Sequence, residues 1–272
     1  MKIPLAGVIG CPVGHSRSPA LHGAWLRQYK VAGQYVPLHV TADDLGSVLR
    51  ALPRMGFVGA NVTIPHKEAV LALADTVSET ALRIGAANTL TFDADGQLHA
   101  DNTDAYGFIT NLRQRVPAWD AARGPALVLG AGGAARAVIV ALQDAGVPLI
   151  YMANRTFARA DRLAAQFGVT ALPWEDCASV LPQVSCVVNT TSLGMRGQPP
   201  LSLDVTSLST KALVTDIVYT PLETPLLAQA RAHGCNVVDG LGMLLHQAVP
   251  GFARWFGVRP EVTDTLRAAV LA

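Results

Sequence analysis

Residues 126–136 read Ala126-Leu-Val-Leu-Gly-Ala-Gly-Gly-Ala-Ala-Arg136, and this stretch decides the fold of the second half of the chain. An apolar strand runs into glycines and then into a helix. Gly130, Gly132 and Ala135 have the G-x-G-x-x-A spacing of a dinucleotide-binding turn. Gly130 permits a sharp turn, Gly132 leaves room for a pyrophosphate, and Ala135 lets the helix lie close on the sheet. Because the free N–H groups and the dipole of the helix start attract phosphate, the stretch predicts a dinucleotide-binding unit.

The end of the next predicted strand indicates which dinucleotide binds. An NAD enzyme usually carries Asp or Glu there, which accepts hydrogen bonds from the ribose 2′-OH. The segment 147–154 contains no acidic residue, and Arg155 follows it. The planar guanidinium of Arg155 can stack on adenine and bind a 2′-phosphate, and Arg159 can add a second positive charge. Thr156 can cap the next helix and donate to phosphate. The alternative is that Arg155 and Arg159 are solvated surface residues. Because Arg155 follows directly on the second strand of a dinucleotide fold, we favour the binding of a 2′-phosphate, and so NADP.

Composition limits the classes of function. The chain has 272 residues, of which 50% are hydrophobic and 15% charged, enough for one large or two modest cores. A net charge of +1 and the lack of a basic stripe predict neither a nucleic-acid partner nor an anionic membrane partner. No signal peptide and no long apolar run is recognisable. The four cysteines lack metal-ligand spacing, so we expect reduced thiols, no metal site and a cytoplasmic location.

Strand and helix patterns alternate along almost the whole chain, which predicts an α/β fold with mostly parallel sheets. In the first half we expect a helix capped by Ser18 and a hairpin turn at Asp95-Gly96. After Gly240 the pattern is helical, and we expect this last segment to pack back on the first domain. The predicted domains are residues 1–105, completed by 240–272, for substrate and residues 106–239 for the dinucleotide.

The segment Asn61-Val-Thr-Ile-Pro-His-Lys67 carries the strongest candidate for chemistry in the first half. Lys67 follows a proline and is predicted in the first turn of a helix, where the dipole disfavours a cation by about 0.3–1 kcal/mol. A residue that breaks a local rule is a candidate for function, and Lys can give and take a proton where Arg cannot. A surface lysine is the alternative, and His66 is a second candidate for the acid. Asp104 could pair with Lys67 and hold its ammonium.

Other polar clusters lie at predicted strand ends and helix starts. The hydroxyls of Ser16 and Ser18 can donate to a carboxylate, although a helix cap and a loop residue would explain them equally well. Asn88 and Asp104 can bond to substrate hydroxyls, although Asn and Asp also form ordinary turns. In the second half, the segments Asn189-Thr-Thr-Ser-Leu-Gly-Met195 and Asp216-Ile-Val-Tyr219 lie at predicted strand ends, where cofactor contacts occur in such folds.

Taken together and in order, these motifs resemble the shikimate and quinate dehydrogenase family over nearly the whole chain. The resemblance implies two α/β domains with a cleft between them, an N-terminal substrate domain and a Rossmann-like NADP domain. It also implies the reversible NADPH-dependent reduction of 3-dehydroshikimate to shikimate, on the route to chorismate and aromatic amino acids. The motifs that carry it are His15-Ser-Arg-Ser-Pro19, Asn61-Val-Thr-Ile-Pro-His-Lys67, Ala87-Asn-Thr89, Asn102-Thr-Asp104, Gly130-Ala-Gly-Gly-Ala134, Asn154-Arg-Thr156, Asn189-Thr-Thr-Ser-Leu-Gly-Met195 and Ile217-Val-Tyr219.

The resemblance assigns roles residue by residue. Lys67 and Asp104 match the catalytic pair. The residues implied for the substrate carboxylate are Ser16, Ser18 and Tyr219, and those implied for its hydroxyls and carbonyl are Thr63, Lys67, Asn88, Asp104 and Gln247. The residues expected to bind the cofactor are Gly130, Ala131, Gly132, Gly133, Ala134, Asn154, Arg155, Thr156, Arg159, Thr190, Ile217, Gly240 and Met243.

Two other functions stay open on the sequence. A quinate or aminoshikimate dehydrogenase could use the same fold, and a dinucleotide-sensing binding protein could retain it without activity. The presence of both Lys67 and Asp104 argues against the inactive protein. In every case we expect a small-molecule partner and a monomer or homodimer.

Overall fold

The computed structural model describes residues 3–271 of the chain. These residues form two compact units. The first runs up to Asp104 and resumes at Leu245, and the second comprises Ala105–Leu244. The boundaries predicted from the sequence lie at residues 105 and 240, and the roles of the two domains stay predictions. Among the described residues, no helix has both the length and the apolar character needed to cross a membrane.

The first unit is built on a mixed six-stranded sheet. Its strands are β1 (Leu5–Gly10), β2 (Gln34–His39), β3 (Phe57–Val62), β4 (Thr76–Val77), β5 (Thr89–Phe92) and β6 (Leu98–Asp101), and its first helices are α1 (Ser18–Gln28), α2 (Leu45–Ala51) and α3 (Glu79–Ile84). The strand order is β2-β1-β3-β5-β6-β4. Strand β5 is antiparallel to both β3 and β6, and the hairpin predicted at Asp95-Gly96 reverses the chain between β5 and β6. Gly96 has a φ of 81°, which suits glycine in such a turn.

Helix α1 begins differently from the prediction. Arg17 occupies the N-cap position, and Ser18 is the first residue inside the helix rather than its cap. The reason is a local hydrogen bond. The backbone N–H of Ser18, one of the free donors at the helix start, donates to the hydroxyl of Ser16 at 3.3 Å. Further along, α1 buries Leu21 and Trp25, which stand four residues apart on one face.

The second unit has a parallel six-stranded sheet. Its strands are β7 (Ala126–Leu129), β8 (Ile150–Ala153), β9 (Thr170–Leu172), β10 (Cys186–Asn189), β11 (Leu213–Asp216) and β12 (Asn236–Val238). Its helices are α4 (Asp104–Arg115), whose first residue belongs to the first unit, α5 (Gly133–Ala145), α6 (Phe157–Phe167), α7 (Cys177–Val180) and α8 (Pro225–His233). The order is β12-β11-β10-β7-β8-β9, so the order of strands reverses between β10 and β7, the place where such sheets bind ligands. Strand β8 begins later than predicted, because Pro148 has no N–H for the ladder.

The chain returns to the first unit through α9 (Leu241–Phe256) and ends in α10 (Asp264–Leu271). The indole Nε1 of Trp255 donates to the carbonyl of Leu90 in β5 at 2.9 Å. Gly59 in β3 makes room for this ring, because a Cβ at that position would overlap the Trp255 indole. From Leu245 on, the C-terminal segment therefore belongs to the first unit and packs on its sheet.

An aromatic cluster in the same core holds a buried histidine. His22 is fully buried in α1, its ring stacks on Tyr35 with the centroids 3.9 Å apart, and Trp25 meets its edge. Burial in this apolar surrounding lowers the pKa of His22 to about 3, against 6.5 for an exposed histidine. The folded protein therefore keeps this imidazole neutral at pH values where the unfolded chain would protonate it.

This difference predicts acid sensitivity of the first unit. Between pH 6.5 and about 3 the unfolded state binds one more proton at His22 than the folded state, so stability falls as the pH is lowered. We expect His22→Phe to remove this contribution, which is about 1.4 kcal/mol per pH unit below the pKa of the unfolded state. Urea unfolding of both proteins at pH 7 and pH 5 measures it, since other titrating groups cancel in the difference. Equal pH slopes for the two proteins would contradict the assignment.

Candidate active site

Lys67 lies in a turn after β3, and the prediction that it stands in the first turn of a helix is wrong. The next helical residues form a short 3-10 helix, Ala69–Leu73, which begins beyond it. The reason is that the carbonyl of Lys67 accepts a hydrogen bond from the N–H of Ala87 at 2.8 Å, and so it is bonded to a distant loop rather than into a helical ladder. The helix-dipole argument for Lys67 therefore does not hold, and its function must follow from its neighbours.

The main neighbour is Asp104, the first residue of α4. The Lys67 Nζ and the Asp104 Oδ2 are 2.6 Å apart, and the side chains are 26% and 12% exposed. The other carboxylate oxygen, Oδ1, accepts from the Nδ2 of Asn88 at 2.8 Å. The predicted pairing of Lys67 with Asp104 is therefore present in the structure, and the ammonium is held in one position while part of it remains accessible.

The amide of Asn88 is oriented by the residues around it. Its Oδ1 accepts from the backbone N–H of Thr103 at 2.8 Å and from the hydroxyl of Thr89 at 3.0 Å. Its Nδ2 therefore points to Asp104 and to the Oε1 of Gln247, which is 3.2 Å away. Gln247, 159 positions further along the chain, is thus joined to the same cluster. We refer to Lys67, Asn88, Asp104 and Gln247 as the polar cluster.

Two residues that support this cluster were missed or given a smaller role from the sequence. Asn102, named above only as part of the motif Asn102-Thr-Asp104, accepts from the N–H of Asp104 at 2.9 Å and donates to the carbonyl of Ala86 at 2.8 Å. Thr103 was not singled out, and its hydroxyl donates to the carbonyl of Gln247 at 2.8 Å. Their place inside the Asp-Asn-Thr-Asp motif was the available signal. Both are buried, so they fix the backbone on which the cluster stands.

Three hydroxyl residues predicted to bind substrate, Ser16 and Ser18 for its carboxylate and Thr63 for its hydroxyls and carbonyl, follow neighbouring strands of the first sheet. Ser16 and Ser18 follow β1 and Thr63 follows β3, and these two strands are neighbours. The N–H of Thr63 donates to the carbonyl of Ile9 at 2.9 Å, which keeps this residue at the strand end. Ser18 is buried, whereas Ser16 and Thr63 are half-buried. His66, the second candidate for the acid, is buried and its Nε2–H donates to the carbonyl of Val40 at 2.7 Å, which is a structural arrangement.

In the second unit, the glycine turn after β7 has the predicted geometry. Gly130 has a φ of 109°, and a Cβ there would lie 2.6 Å from the Thr190 hydroxyl. Gly132 caps α5 without a side-chain hydrogen bond, and a Cβ on Gly132 or Gly133 would meet no atom within 4 Å. Ala135 is fully buried against the sheet. An open space thus lies over a helix start that has no side-chain cap, and this suits a pyrophosphate.

The segment after β8 also suits a phosphorylated ribose. Asn154 is half-buried, and Arg155, Thr156 and Arg159 are exposed. Thr156 stands at the N-cap of α6, but its hydroxyl makes no capping bond, which corrects that part of the prediction. Instead, the Asn154 Nδ2 donates to the carbonyl of Thr156 at 3.0 Å and shapes the turn. With no acidic side chain between residues 147 and 160, the charge of this segment fits a 2′-phosphate.

The remaining predicted cofactor residues differ in their accessibility. The Thr190 hydroxyl donates to the carbonyl of Leu129 at 2.7 Å, so its hydrogen is engaged within the protein. Gly240 packs directly on the backbone of Ile217, where a Cβ would overlap the carbonyl. Met243 is buried in α9. Three further predicted cofactor residues, Ala131, Ala134 and Ile217, are half-buried, as is Tyr219, which is predicted to bind the substrate carboxylate.

A buried carboxylate in the second unit was singled out only as the start of a segment. Asp216, at the end of β11, is fully buried. Its Oδ1 accepts from the Nδ2 of Asn189 at 3.0 Å and from the N–H of Val218 at 2.9 Å, and its Oδ2 accepts from the hydroxyl of Thr224 at 2.7 Å. Burial raises the pKa of this carboxyl, and the three hydrogen bonds act in the opposite direction.

Three family models match successive parts of the chain. Residues 8–90 match the shikimate dehydrogenase substrate binding domain, residues 112–195 match shikimate / quinate 5-dehydrogenase, and residues 240–271 match the shikimate 5'-dehydrogenase C-terminal domain. Together the three matches follow the order of the motifs along this chain.

Curated relatives and solved structures agree with these matches. The chain is 62% identical over 271 residues to the shikimate dehydrogenase (NADP(+)) of Paracoccus denitrificans, with 99% of this chain and 96% of that protein covered. A crystal structure of shikimate 5-dehydrogenase from Thermus thermophilus in complex with NADP(H) and shikimate is 38% identical, with a TM-score of 0.87 and coverage of 99% and 98%. Quinate dehydrogenase from Corynebacterium glutamicum in complex with NAD is 36% identical, with a TM-score of 0.92 and 99% coverage of both chains.

Proposed function

Because this chain belongs to the shikimate dehydrogenase family, we propose that it catalyses the reversible NADPH-dependent reduction of 3-dehydroshikimate to shikimate. The observation that carries the proposal is the high identity, along nearly the whole chain, with a relative named shikimate dehydrogenase (NADP(+)). The reaction is a step on the route to chorismate and the aromatic amino acids. We infer a small-molecule substrate, and a monomer or homodimer stays a prediction.

Lys67 is the proposed acid of this reaction. NADPH, when bound, supplies a hydride. A ketone that accepts hydride develops negative charge on its oxygen, and a positioned ammonium stabilises that charge and gives it a proton. The 2.6 Å ion pair with Asp104 supports this role, because it holds the Lys67 Nζ in one place without burying it completely. In the direction of shikimate oxidation, the neutral amine of Lys67, held beside Asp104, takes the hydroxyl proton and becomes the ammonium.

The other members of the polar cluster are proposed to bind the substrate ring. Asn88 and Gln247 carry amide groups that can meet hydroxyls as donor or acceptor, and Thr63 adds a hydroxyl at the end of β3. Ser16 and Ser18 are proposed to bind the carboxylate, and Tyr219 is assigned to the same group by the family resemblance. The orientation of the Asn88 amide by Thr103 and Thr89 supports a preorganised site.

The second unit is proposed to bind NADP. The backbone N–H groups at the start of α5 would hold the pyrophosphate, in the space that the glycines leave open. Arg155 would bind the 2′-phosphate of the ribose, with Arg159 adding positive charge. The absence of an acidic residue at the end of β8 supports NADP over NAD, since no carboxylate is present there to accept from a free 2′-OH.

Quinate dehydrogenase is the second candidate. The likeness to the Corynebacterium glutamicum enzyme favours it, since that solved structure superposes on this chain with a TM-score of 0.92. An aminoshikimate dehydrogenase would use the same fold. An inactive dinucleotide-binding protein is less favoured, because the ion pair between Lys67 and Asp104 is intact.

A substrate and cofactor panel decides among these functions. Initial rates are measured with shikimate or quinate, each with NADP+ or NAD+, on the purified full chain. We expect kcat/KM to be greatest for shikimate with NADP+, by about tenfold or more over each other pair. A preference for quinate with NAD+ would identify the second candidate instead. Cofactor binding without turnover of either acid, or of aminoshikimate, would identify a binding protein.

A further inference from the structure

Asp216 is a buried carboxylate that the proposed chemistry leaves unused. Its three hydrogen-bond donors are an amide, a backbone N–H and a hydroxyl, all of them neutral. Within residues 3–271, no lysine, arginine or histidine forms an ion pair with it. Burying a carboxylate without a cationic partner costs free energy of folding. The position of Asp216 in the fold should therefore show which function offsets this cost.

The bonds of Asp216 reach three separate segments of the second unit. Asn189 ends the neighbouring strand β10, Val218 belongs to the segment that follows β11, and Thr224 caps α8. Two of these segments carry predicted ligand contacts. Ile217 and Tyr219 stand on either side of Val218, and Thr190 follows Asn189 directly. The Asp216 carboxylate therefore links the ends of β10 and β11, the two strand ends that the proposed function uses.

The amide of Asn189 connects Asp216 to the turn that follows β10. Its Nδ2 donates both to Asp216 and to the carbonyl of Leu193, at 3.0 and 3.1 Å. Its Oδ1 accepts from the N–H and the hydroxyl of Thr191, at 3.0 and 2.7 Å. Asp216 sets which way this amide faces, because only a donor can point at the carboxylate. The turn after β10 therefore depends on Asp216 as well.

We propose that Asp216 is a positioning residue for cofactor and substrate binding. It fixes the backbone around Val218, and with it Ile217 and Tyr219, and through Asn189 it fixes the turn that begins at Thr190. The carboxylate is suited to this task because three donors converge on its two oxygens, whereas an amide could accept on one side only. The inference rests on the proposed function for the identity of the ligands, but the positioning role itself concerns only the second unit.

Asp216→Asn tests the proposal with almost no change in shape. The new NH2 group would face one or more of the three groups that now donate to the carboxylate, and a hydrogen bond would be lost. We therefore expect KM for NADP+ and KM for shikimate each to rise about tenfold, while kcat changes less than about threefold. The dissociation constant of NADP+, measured by calorimetry on the same protein, should rise in parallel. A purely structural role would instead lower the amount of folded enzyme, and so the apparent kcat, and would leave KM and the dissociation constant unchanged. That result would overturn the proposal.

A second pair of variants covers the case in which Asp216→Asn does not fold. Thr224→Ser keeps the hydroxyl that donates to Asp216 and caps α8, and we expect values close to wild type. Thr224→Val removes this donor and should raise the same constants. Asp204→Asn is the matched control, because Asp204 is an exposed aspartate of the same unit whose bond is to the nearby N–H of Thr206. If Thr224→Val and Thr224→Ser had equal KM values and equal dissociation constants for NADP+, the positioning role of Asp216 would be contradicted.

Failure of the proposed function would remain distinguishable from failure of this inference. If the wild-type chain turned over neither shikimate nor quinate, the proposed function would fall. The calorimetric comparison of NADP+ binding between wild type and Asp216→Asn would still decide whether Asp216 positions the cofactor segment.

Discussion

Replacing Lys67 with alanine is expected to lower kcat about 10³-fold or more, with little change in the affinity for NADPH. Loss of a general acid typically costs about 10²- to 10⁴-fold, and the same substitution removes the positive charge that faces the developing alkoxide. The affinity for NADPH should persist, because Lys67 belongs to the first unit and the proposed cofactor residues around Gly130 and Arg155 to the second. Steady-state rates and cofactor titration on the same preparation measure both quantities.

Two control variants separate the role of Lys67 from its neighbours. Lys67→Arg keeps a positive charge near Asp104 but gives up a proton far less readily, so it should recover only a part of kcat. His66→Asn should change stability rather than kcat, because the His66 ring is buried and bonded to Val40. A Lys67→Ala enzyme with kcat close to wild type would show that another group is the acid.

Arg155→Ala is expected to weaken NADPH about 30- to 100-fold and NADH only slightly. A hydrogen-bonded contact with a charged phosphate is worth about 1.5–3 kcal/mol, which corresponds to roughly one to two powers of ten in affinity. NADH has no 2′-phosphate, so it loses at most the stacking of the guanidinium on adenine. The ratio of the two KM values, measured with one substrate at saturation, reports the change in selectivity.

Arg162 provides a matched control for this prediction. It is an exposed arginine in α6, the helix that follows Arg155, and its replacement by alanine should leave the ratio of KM values unchanged. Arg159→Ala should have an intermediate effect, since Arg159 is proposed only to add charge. If Arg155→Ala weakened NADPH and NADH equally, Arg155 would contact a part that the two cofactors share, and the assignment to the 2′-phosphate would be wrong.

The fold of the second unit could be predicted from the sequence because its signals are local. The glycine turn, the apolar strand before it and the helix after it lie within 126–145, and the structure has β7 and α5 there. The short elements β4 and α3 were not predicted, because two and six residues carry too little periodicity. The helix start that helped to single out Lys67 is not present in the structure, whereas its pairing with Asp104, predicted from opposite charge and from the family resemblance, is present.

The hydrogen-bond networks could not be predicted in the same way. Asn88 and Gln247 are 159 positions apart, and no local pattern indicates that their amides meet. Asp216 was visible only as the start of a segment, because its importance depends on donors from Asn189 and Thr224, which other elements bring to it. Sequence patterns identify which side chains can do chemistry, whereas the partners that orient them follow from the tertiary fold.

The return of the chain to the first unit at Leu245 has a consequence for biosynthesis. A ribosome makes the whole second unit before it reaches Trp255, whose indole meets the carbonyl of Leu90, a residue translated 165 positions earlier. Until Trp255 is made, the nascent first unit lacks this contact, and the surface around Gly59 that the indole covers in the folded protein stays exposed. A stop codon in place of Leu245 would release a chain whose second unit is complete and whose first unit lacks its last helices, and chaperones and proteases recognise such incomplete units.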